Sequence, residues 1–313
     1  MKRVLVTGGA GFIGANLIRA LGTDVELTVI DNLQSGTKQN LVGLDIKLIV
    51  ADICSFDFSS LPKQDEIYHL ACVASPQHYQ AQPLATLASC FLGTQRLLDF
   101  ALKNNSKVVF TSTSEVYGDP LEFPQAETYH GNVNPLSKRA CYDEGKRVAE
   151  TLCYEYYVLG LDVKIARVFN TFGPYMSAND GRVIANFINQ AIQGQALTIY
   201  GDGMQTRSLV YVDDTVTALQ RLMALVTQQL CVVNVGNDQE KTILQLALDV
   251  KSAINPQLPF AFQALPEADP QRRRPCLAKS NALLGKYQFT SWQQGLNNTI
   301  KYFSSPFASL LSG

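Results

Sequence analysis

Short apolar runs rich in Val, Ile and Leu recur through the first half of the chain, at Lys2–Thr7, Glu26–Ile30, Lys47–Val50, Asp65–Leu70, Lys107–Ser112 and Asp162–Val168. Runs of about 4–8 residues without polar alternation are the mark of strands buried on both faces. Two longer stretches between the last three carry helical periodicity. In Pro83–Asn104, Leu84, Leu87, Phe91 and Leu98 recur at helical spacing, and Pro135–Leu159 runs through Tyr142, Lys146, Val148 and Leu152. Strands alternating with helices predict right-handed βαβ units and a parallel sheet.

The rhythm changes after about residue 170. Gly and Pro become frequent, and shorter helices are predicted at Arg182–Gly194, Asp213–Gln228, Thr242–Ile254 and Ser291–Phe303. Cys231–Val235 reads as a strand that returns to the first sheet. The expected organisation is a nucleotide-binding domain over residues 1–170 and a smaller mixed α/β cap over 171–313.

Composition narrows the function classes. Of 313 residues, 46% are apolar and 17% charged, enough for a sizeable core and against wholesale disorder. A formal net charge of −1 argues against nucleic acid or an anionic membrane as the main partner. Seven cysteines, none in a C-x-x-C pair, and three histidines predict neither a metal site nor a disulfide framework, and they favour a reducing cytoplasm. No apolar run approaches the roughly 18 residues of a membrane span. The opening MKRVLVTGGAGFIG has a superficial likeness to a signal peptide, but its interrupting glycines and the lack of a small-residue cleavage site favour a strand and turn.

The turn is the first piece of chemistry. Gly8, Gly11 and Gly14 form G-x-x-G-x-x-G directly after the first strand and open a helix, with Phe12 and Ile13 between the last two. A tight turn, close backbone approach to a pyrophosphate and amides at a positive helix end all require this pattern, which predicts a Rossmann-type doubly wound sheet that binds a dinucleotide. Asp31 follows Gly14 by 17 residues at the end of the second strand. A carboxylate there accepts from a ribose diol and repels a 2′-phosphate, which selects NAD over NADP. Asp52, after the third strand, is placed to reach an adenine edge or to hold a turn. Asn32, Ser35, Gly36, Ile53 and Leu70 complete the candidate cofactor set.

Tyr142 and Lys146 stand four apart on a predicted helix, so phenol and ammonium share a face. The ammonium and a positively charged nicotinamide both favour phenolate, which makes the tyrosine a usable base. Thr111-Ser112-Thr113-Ser114-Glu115 ends a predicted parallel strand, and such ends face the ligand crevice.

With these residues the chain resembles the extended short-chain dehydrogenase/reductase family, in its UDP-glucuronate decarboxylase branch. The resemblance runs nearly the length of the chain, through His69-Leu70-Ala71-Cys72, Ala74-Ser75-Pro76, Thr113–Pro120, Gly131–Pro135, Cys141–Arg147, Asp180–Val183, Gln205–Ser208 and Asp269–Pro275. It implies NAD-dependent decarboxylation of UDP-glucuronate to UDP-xylose through a 4-keto sugar, with the cofactor regenerated in each turnover. It further implies that Tyr142 is the base at the sugar 4-hydroxyl, tuned by Lys146, and that Thr113 bonds the same hydroxyl. Glu115 is implied beside carbon 5, Ser114 near the carboxylate, and Arg273 at the uronate end or as a later proton donor. Arg207, Asn170 and Arg182 are implied in the UDP pocket, and the two long helices in a homodimer interface.

Cys90 stands where the family usually has Asn, Tyr175 where it has Arg, Cys276 where it has Asp, and Val73 and Lys138 where it has Pro. These departures bear on sugar specificity and spare the Tyr/Lys/Thr/Glu set. Two alternatives stay open: another sugar-nucleotide enzyme, such as a 4,6-dehydratase (Asp in place of Ser114) or a decarboxylase that releases the 4-keto pentose, and a non-catalytic NAD-binding protein. His69, Trp292 and the cysteines read as packing residues.

Overall fold

The computed structural model describes residues 1–178, 180–265, 272–286 and 288–305. Its centre is a seven-stranded sheet built from β1 (Lys2–Thr7), β2 (Val25–Asp31), β3 (Lys47–Val50), β4 (Glu66–His69), β5 (Lys107–Thr113), β6 (Val163–Val168) and β7 (Cys231–Val235). The order is β7-β6-β5-β4-β1-β2-β3 and every pairing is parallel. The predicted strands differ from the observed ones by at most one residue at either end, and Cys231–Val235 does return to the sheet beside β6.

The apolar runs are continuous because both faces of the sheet are covered. On one face Val4, Val6, Leu27, Val29 and Val109 pack with Leu17 and Ile18 of α1 (Phe12–Leu21) and with Leu219 and Leu222 of the later helix Val212–Ala224. On the other, Leu5, Ile30, Ile67, Val108, Phe110 and Ile165 pack with Leu97, Leu98 and Ala101 of α2 (Thr94–Asn104) and with Ala149 and Cys153 of α3 (Ala140–Val158). Neighbouring strand residues fall in opposite layers, as the two-residue period demands.

Three helical predictions need correction, the simplest being Asp213–Gln228, where the helix spans Val212–Ala224 because Leu225 turns to extended backbone. The segment predicted as one helix over Pro83–Asn104 is α-helical over Pro83–Ala88, π-helical over Ser89–Gly93 and α-helical again in α2. Close packing accompanies the wide turn, since a Cβ on Gly93 would lie 2.5 Å from Ile53 Cδ1. The helix predicted to start at Pro135 starts at Ala140, because Asn134 Oδ1 accepts from Leu136 N at 3.0 Å and its carbonyl from Ser137 N at 3.2 Å, which holds the preceding residues in turns. A short helix, Pro76–Ala81, escaped the periodicity because it buries only Tyr79.

The later residues add Val183–Ile192, Ile243–Ile254 and Trp292–Phe303 and three two-stranded ladders: Thr171–Phe172 with Val210–Tyr211, Leu197–Tyr200 with Phe260–Gln263, and Thr206–Ser208 with Glu240–Thr242. Thr242 and Ser291, predicted as first residues of their helices, are the N-caps. Asp269-Pro270-Gln271, which open the arginine-rich motif, lie outside the described residues. Among the described residues, no helix is long and apolar enough to cross a membrane.

Candidate active site

The carboxyl ends of β1, β2, β4, β5 and β6 open on one cleft of about 1340 Å³, closed on its far side by residues from 170 onward. Typical small-molecule pockets hold about 300–1,000 Å³, so this one has room for two ligands. Every candidate cofactor, catalytic and substrate residue of the sequence lines it.

At one end the glycine loop forms the cradle that a dinucleotide needs. Gly8 has φ +74°, and a Cβ on it would meet Ala71 N at 2.7 Å, while one on Gly14 would collide with the carbonyl oxygen of Gly8. Gly11 caps α1 without any side-chain bond, and the first turn of α1 has no acidic residue, so the helix amides remain for an anion. Asp31 Oδ2 accepts from Ala10 N at 2.9 Å and Oδ1 from Leu33 N at 2.8 Å, fixing the loop to the strand end. Burial raises the Asp31 carboxyl against those two bonds. Asp52 Oδ1 accepts from Cys54 N at 2.8 Å and Oδ2 from Asn32 Nδ2 at 3.1 Å, so it holds its turn and still borders the cleft. Phe12, Ile13, Ser35, Gly36, Ile53 and Leu70 wall the same end. The residues present therefore fit NAD.

At the other end, Lys146 Nζ donates to the Thr111 carbonyl at 2.8 Å and sits 4.7 Å from the Phe110 ring centre. Tyr142 is buried, hydrogen-bonded to Thr113, and stacked on Tyr79 with ring centres 5.1 Å apart and planes 2° from parallel. Burial and then charge on Cys72 push the Tyr142 phenol well above the ordinary tyrosine value, against the Thr113 bond. The phenol is thus held in its protonated form.

Glu115 lies two residues beyond β5, its N–H donated to Thr113 Oγ1 at 3.2 Å. Arg273 holds its carboxylate at two points, Nη1 on Oε1 and Nη2 on Oε2, the second at 2.5 Å, and Arg139 Nη2 adds 2.6 Å to Oε2. Burial alone would raise Glu115, but Arg273 and Arg139 outweigh it and hold the carboxyl at about 2. Asp143 is buried nearby with one oxygen unpartnered, and burial with the Glu115 charge pushes it up to about 7. Arg182 pairs with Asp180, its Nη2 donating at 2.6 Å, and its guanidinium lies 5.6 Å from the Phe12 ring centre. Arg207 Nη1 donates to the Thr206 carbonyl at 2.8 Å, and Asn170 follows β6. Ser114 and Asn170 both border the cleft.

A sequence model of the NAD dependent epimerase/dehydratase family matches residues 4–236. The chain belongs to that family. Among curated members, UDP-glucuronic acid decarboxylase 1 of Danio rerio is 48% identical over 97% of this chain and 73% of its own length, and that of Arabidopsis thaliana 45% identical over 96% and 69%. Solved structures of the family superpose closely. A UDP-glucuronic acid 4-epimerase from Bacillus cereus, in complex with UDP-glucuronic acid and NAD, gives a TM-score of 0.85 at 25% identity over 98% of this chain and 99% of that one. A UDP-glucose 4-epimerase from Thermotoga maritima gives 0.88 at 27% over 96% and 98%.

Sequence reasoning missed two residues that line this family member's cleft, Tyr79 and Arg139, and one buried beside them, Asp143. Tyr79 lies in the short helix that periodicity did not reveal. Arg139 stands three residues before Tyr142, where a basic pair, Lys138-Arg139, was the available signal. Asp143 adjoins Tyr142 and was singled out by nothing in the motif Cys141–Arg147. His69 proves to be a packed residue, its ring bonded to Thr7 and Thr94 hydroxyls at 2.7 and 2.9 Å. Cys153 and Cys231 are core residues as expected, whereas Cys72 and Cys90 face each other beside the cleft.

Proposed function

We propose that this chain decarboxylates UDP-glucuronate to UDP-xylose, and that the cleft takes NAD at the glycine-loop end and the UDP-sugar at the other. The observation that carries the reading is the convergence of Arg139 and Arg273 on the single carboxylate of Glu115, two residues beyond the strand end that bears Thr113 and within the Tyr142/Lys146 cleft. Two guanidiniums face the firmly ionised Glu115 and an Asp143 carboxyl pushed up to about 7, so the balance there stays positive, which suits a uronate and would be wasted on a neutral hexose. The decarboxylase names of relatives at 44–48% identity point the same way.

When bound, NAD supplies the hydride acceptor at carbon 4, returns the hydride at the end of turnover, and brings a positive ring that favours the Tyr142 phenolate. Tyr142 takes the proton of the 4-hydroxyl while Thr113 orients that hydroxyl. Lys146, fixed by the Thr111 carbonyl, holds positive charge beneath the phenol. Once carbon 4 is a ketone, the carboxylate on carbon 5 is β to it and leaves as carbon dioxide, its electrons passing into an enolate. Ser114 and Arg273 orient the carboxylate. Glu115 keeps Arg273 in place, and the protonated guanidinium stands ready at carbon 5 for the returning proton. Arg207, Asn170 and Arg182 hold the nucleotide. Residues 1–170 thus seat the cofactor, and 171–313 mainly the UDP-sugar. Release of labelled carbon dioxide from UDP-glucuronate labelled in its carboxyl tests the reading, and turnover without label release contradicts it.

A homodimer is part of the same proposal. Leu84, Leu87, Phe91 and Leu92 on one helical stretch and Val148, Tyr154, Val158 and Leu159 on and after α3 are exposed, an apolar load that a second copy of the same helices would cover. The cytoplasm is the compartment we propose, because all seven cysteines are free thiols.

A further inference from the structure

Behind Tyr142 and Lys146 two cysteines meet. Cys72 follows the end of β4 and borders the cleft, while Cys90 is the second residue of the π-helical turn and is buried. Their Sγ atoms lie 3.1 Å apart and share a hydrogen bond. The approach is built into the packing. On α3, between Tyr142 and Lys146, stands Gly145, and a Cβ there would come within 3.1 Å of both Cβ and Sγ of Cys90. The proposed reaction uses neither thiol.

We propose that Cys72 and Cys90 form a peroxide-reactive thiol pair that closes to a reversible disulfide and slows turnover while closed. The two sulfurs have different access, which assigns their roles. Cys72 lines the cleft and can be reached through it, whereas Cys90 is buried and does not line the cleft. The bond from Cys90, with help from the Lys146 ammonium against burial, brings the Cys72 thiol down to about 7, which favours Cys72 as the attacking sulfur. Cys90 is pushed up by the same pairing and stays a thiol.

The chemistry balances with hydrogen peroxide as oxidant. Cys72 thiolate attacks one peroxide oxygen, the O–O bond breaks, hydroxide leaves, and Cys72 becomes a sulfenic acid. Cys90 sulfur then attacks the Cys72 sulfur, the S–O bond breaks and water leaves with the Cys90 proton. Two thiols and one peroxide give one disulfide and two waters. The sulfurs need approach by only about 1 Å to reach the bond length of about 2.05 Å. In a reducing compartment such a bond is transient, which suits a sensor. Closure draws the Leu70–Cys72 segment, which abuts Gly8 of the glycine loop, toward the helix behind Tyr142. A misplacement of about 1 Å at a reacting centre can cost about 10²-fold in rate.

The test treats the full chain with stoichiometric hydrogen peroxide at neutral pH, then maps its peptides by mass spectrometry without reduction. The expected product is a Cys72–Cys90 linked peptide, lighter by two hydrogens than the separate thiols and reopened by dithiothreitol. Cys141→Ser should still give it, although Cys141 lies close by, with its Sγ on the Tyr79 carbonyl at 3.6 Å. Cys90→Ser should give none and leave Cys72 as a sulfenic or sulfinic acid. Turnover of the linked protein should fall by tenfold or more and recover with dithiothreitol. Wild-type protein in which Cys72 stays a free thiol, is overoxidised, or links to Cys141 overturns the proposal, as does a linked protein with undiminished turnover. The peptide map does not depend on the reaction proposed above, so the two can fail separately.

Discussion

Glu115 and Arg273, 158 residues apart in the chain, face each other as a buried two-point ion pair in the wall of the cleft. The pair ties the end of β5 to the segment that follows residue 271. It sets the side on which the cleft carries positive charge, with Arg139 as the second cation.

Replacing Arg273 with Ala should therefore act on the uronate end and spare the nucleotide. A hydrogen bond to a charged group is worth about 1.5–3 kcal/mol, or roughly 10–150-fold in affinity. UDP-glucuronate affinity should fall by that factor in calorimetric titration while UDP affinity stays close to wild type. Equal losses for both ligands would make Arg273 a nucleotide contact.

Tyr142→Phe keeps the ring stacked on Tyr79 and removes the proton acceptor. Loss of a general base costs about 10²–10⁴-fold in rate. Single-turnover measurements should show that loss with both ligands still bound. Retention of more than a tenth of wild-type turnover would contradict the assignment.

Glu115 of the cleft and Asp143 beside it give opposite pH signatures. Glu115 is held low, so its contribution to stability is present above the ordinary carboxylate range and is lost as pH falls through about 2. Asp143 is held high, so its protonated form stabilises the fold at low pH, and that contribution is lost as pH rises from the ordinary carboxylate range through about 7. Asp143→Asn keeps the neutral shape at every pH. Denaturant titrations should show wild type losing stability relative to this variant between about pH 4 and 7, and a constant difference would show that folding leaves the Asp143 carboxyl unshifted.

Light scattering at micromolar concentration should give the mass of two chains. A monomer mass would leave the exposed Leu84, Phe91 and Val158 without the partner proposed for them.

The parts of this molecule legible in the sequence are those governed by local rules. β1 and β5 announced themselves because both faces of the sheet are covered, leaving no polar alternation, and the glycine loop because its contacts tolerate no side chain at Gly8 or Gly14. The start of α3 was misplaced because Pro135 suits a first helical turn, whereas Asn134 claims that backbone for turns. The partnerships inside the cleft were hidden. Nothing local in Thr113–Glu115 says that its carboxylate meets Arg139 and Arg273, and nothing in a six-residue helix says that Tyr79 stacks on Tyr142. Cys90 drew notice only as a departure from the family pattern. Its meeting with Cys72 depends on a π-helical turn and on Gly145, neither of which periodicity reveals.

The central claim is that the cleft removes the carboxylate of a uronate. Proton NMR of purified protein incubated with UDP-glucuronate and NAD measures this most directly. The account predicts growth of UDP-xylose signals, with two hydrogens on carbon 5, in step with loss of UDP-glucuronate and with no net change in NAD. Accumulation of the carbon-4 epimer with its carboxylate intact would contradict it.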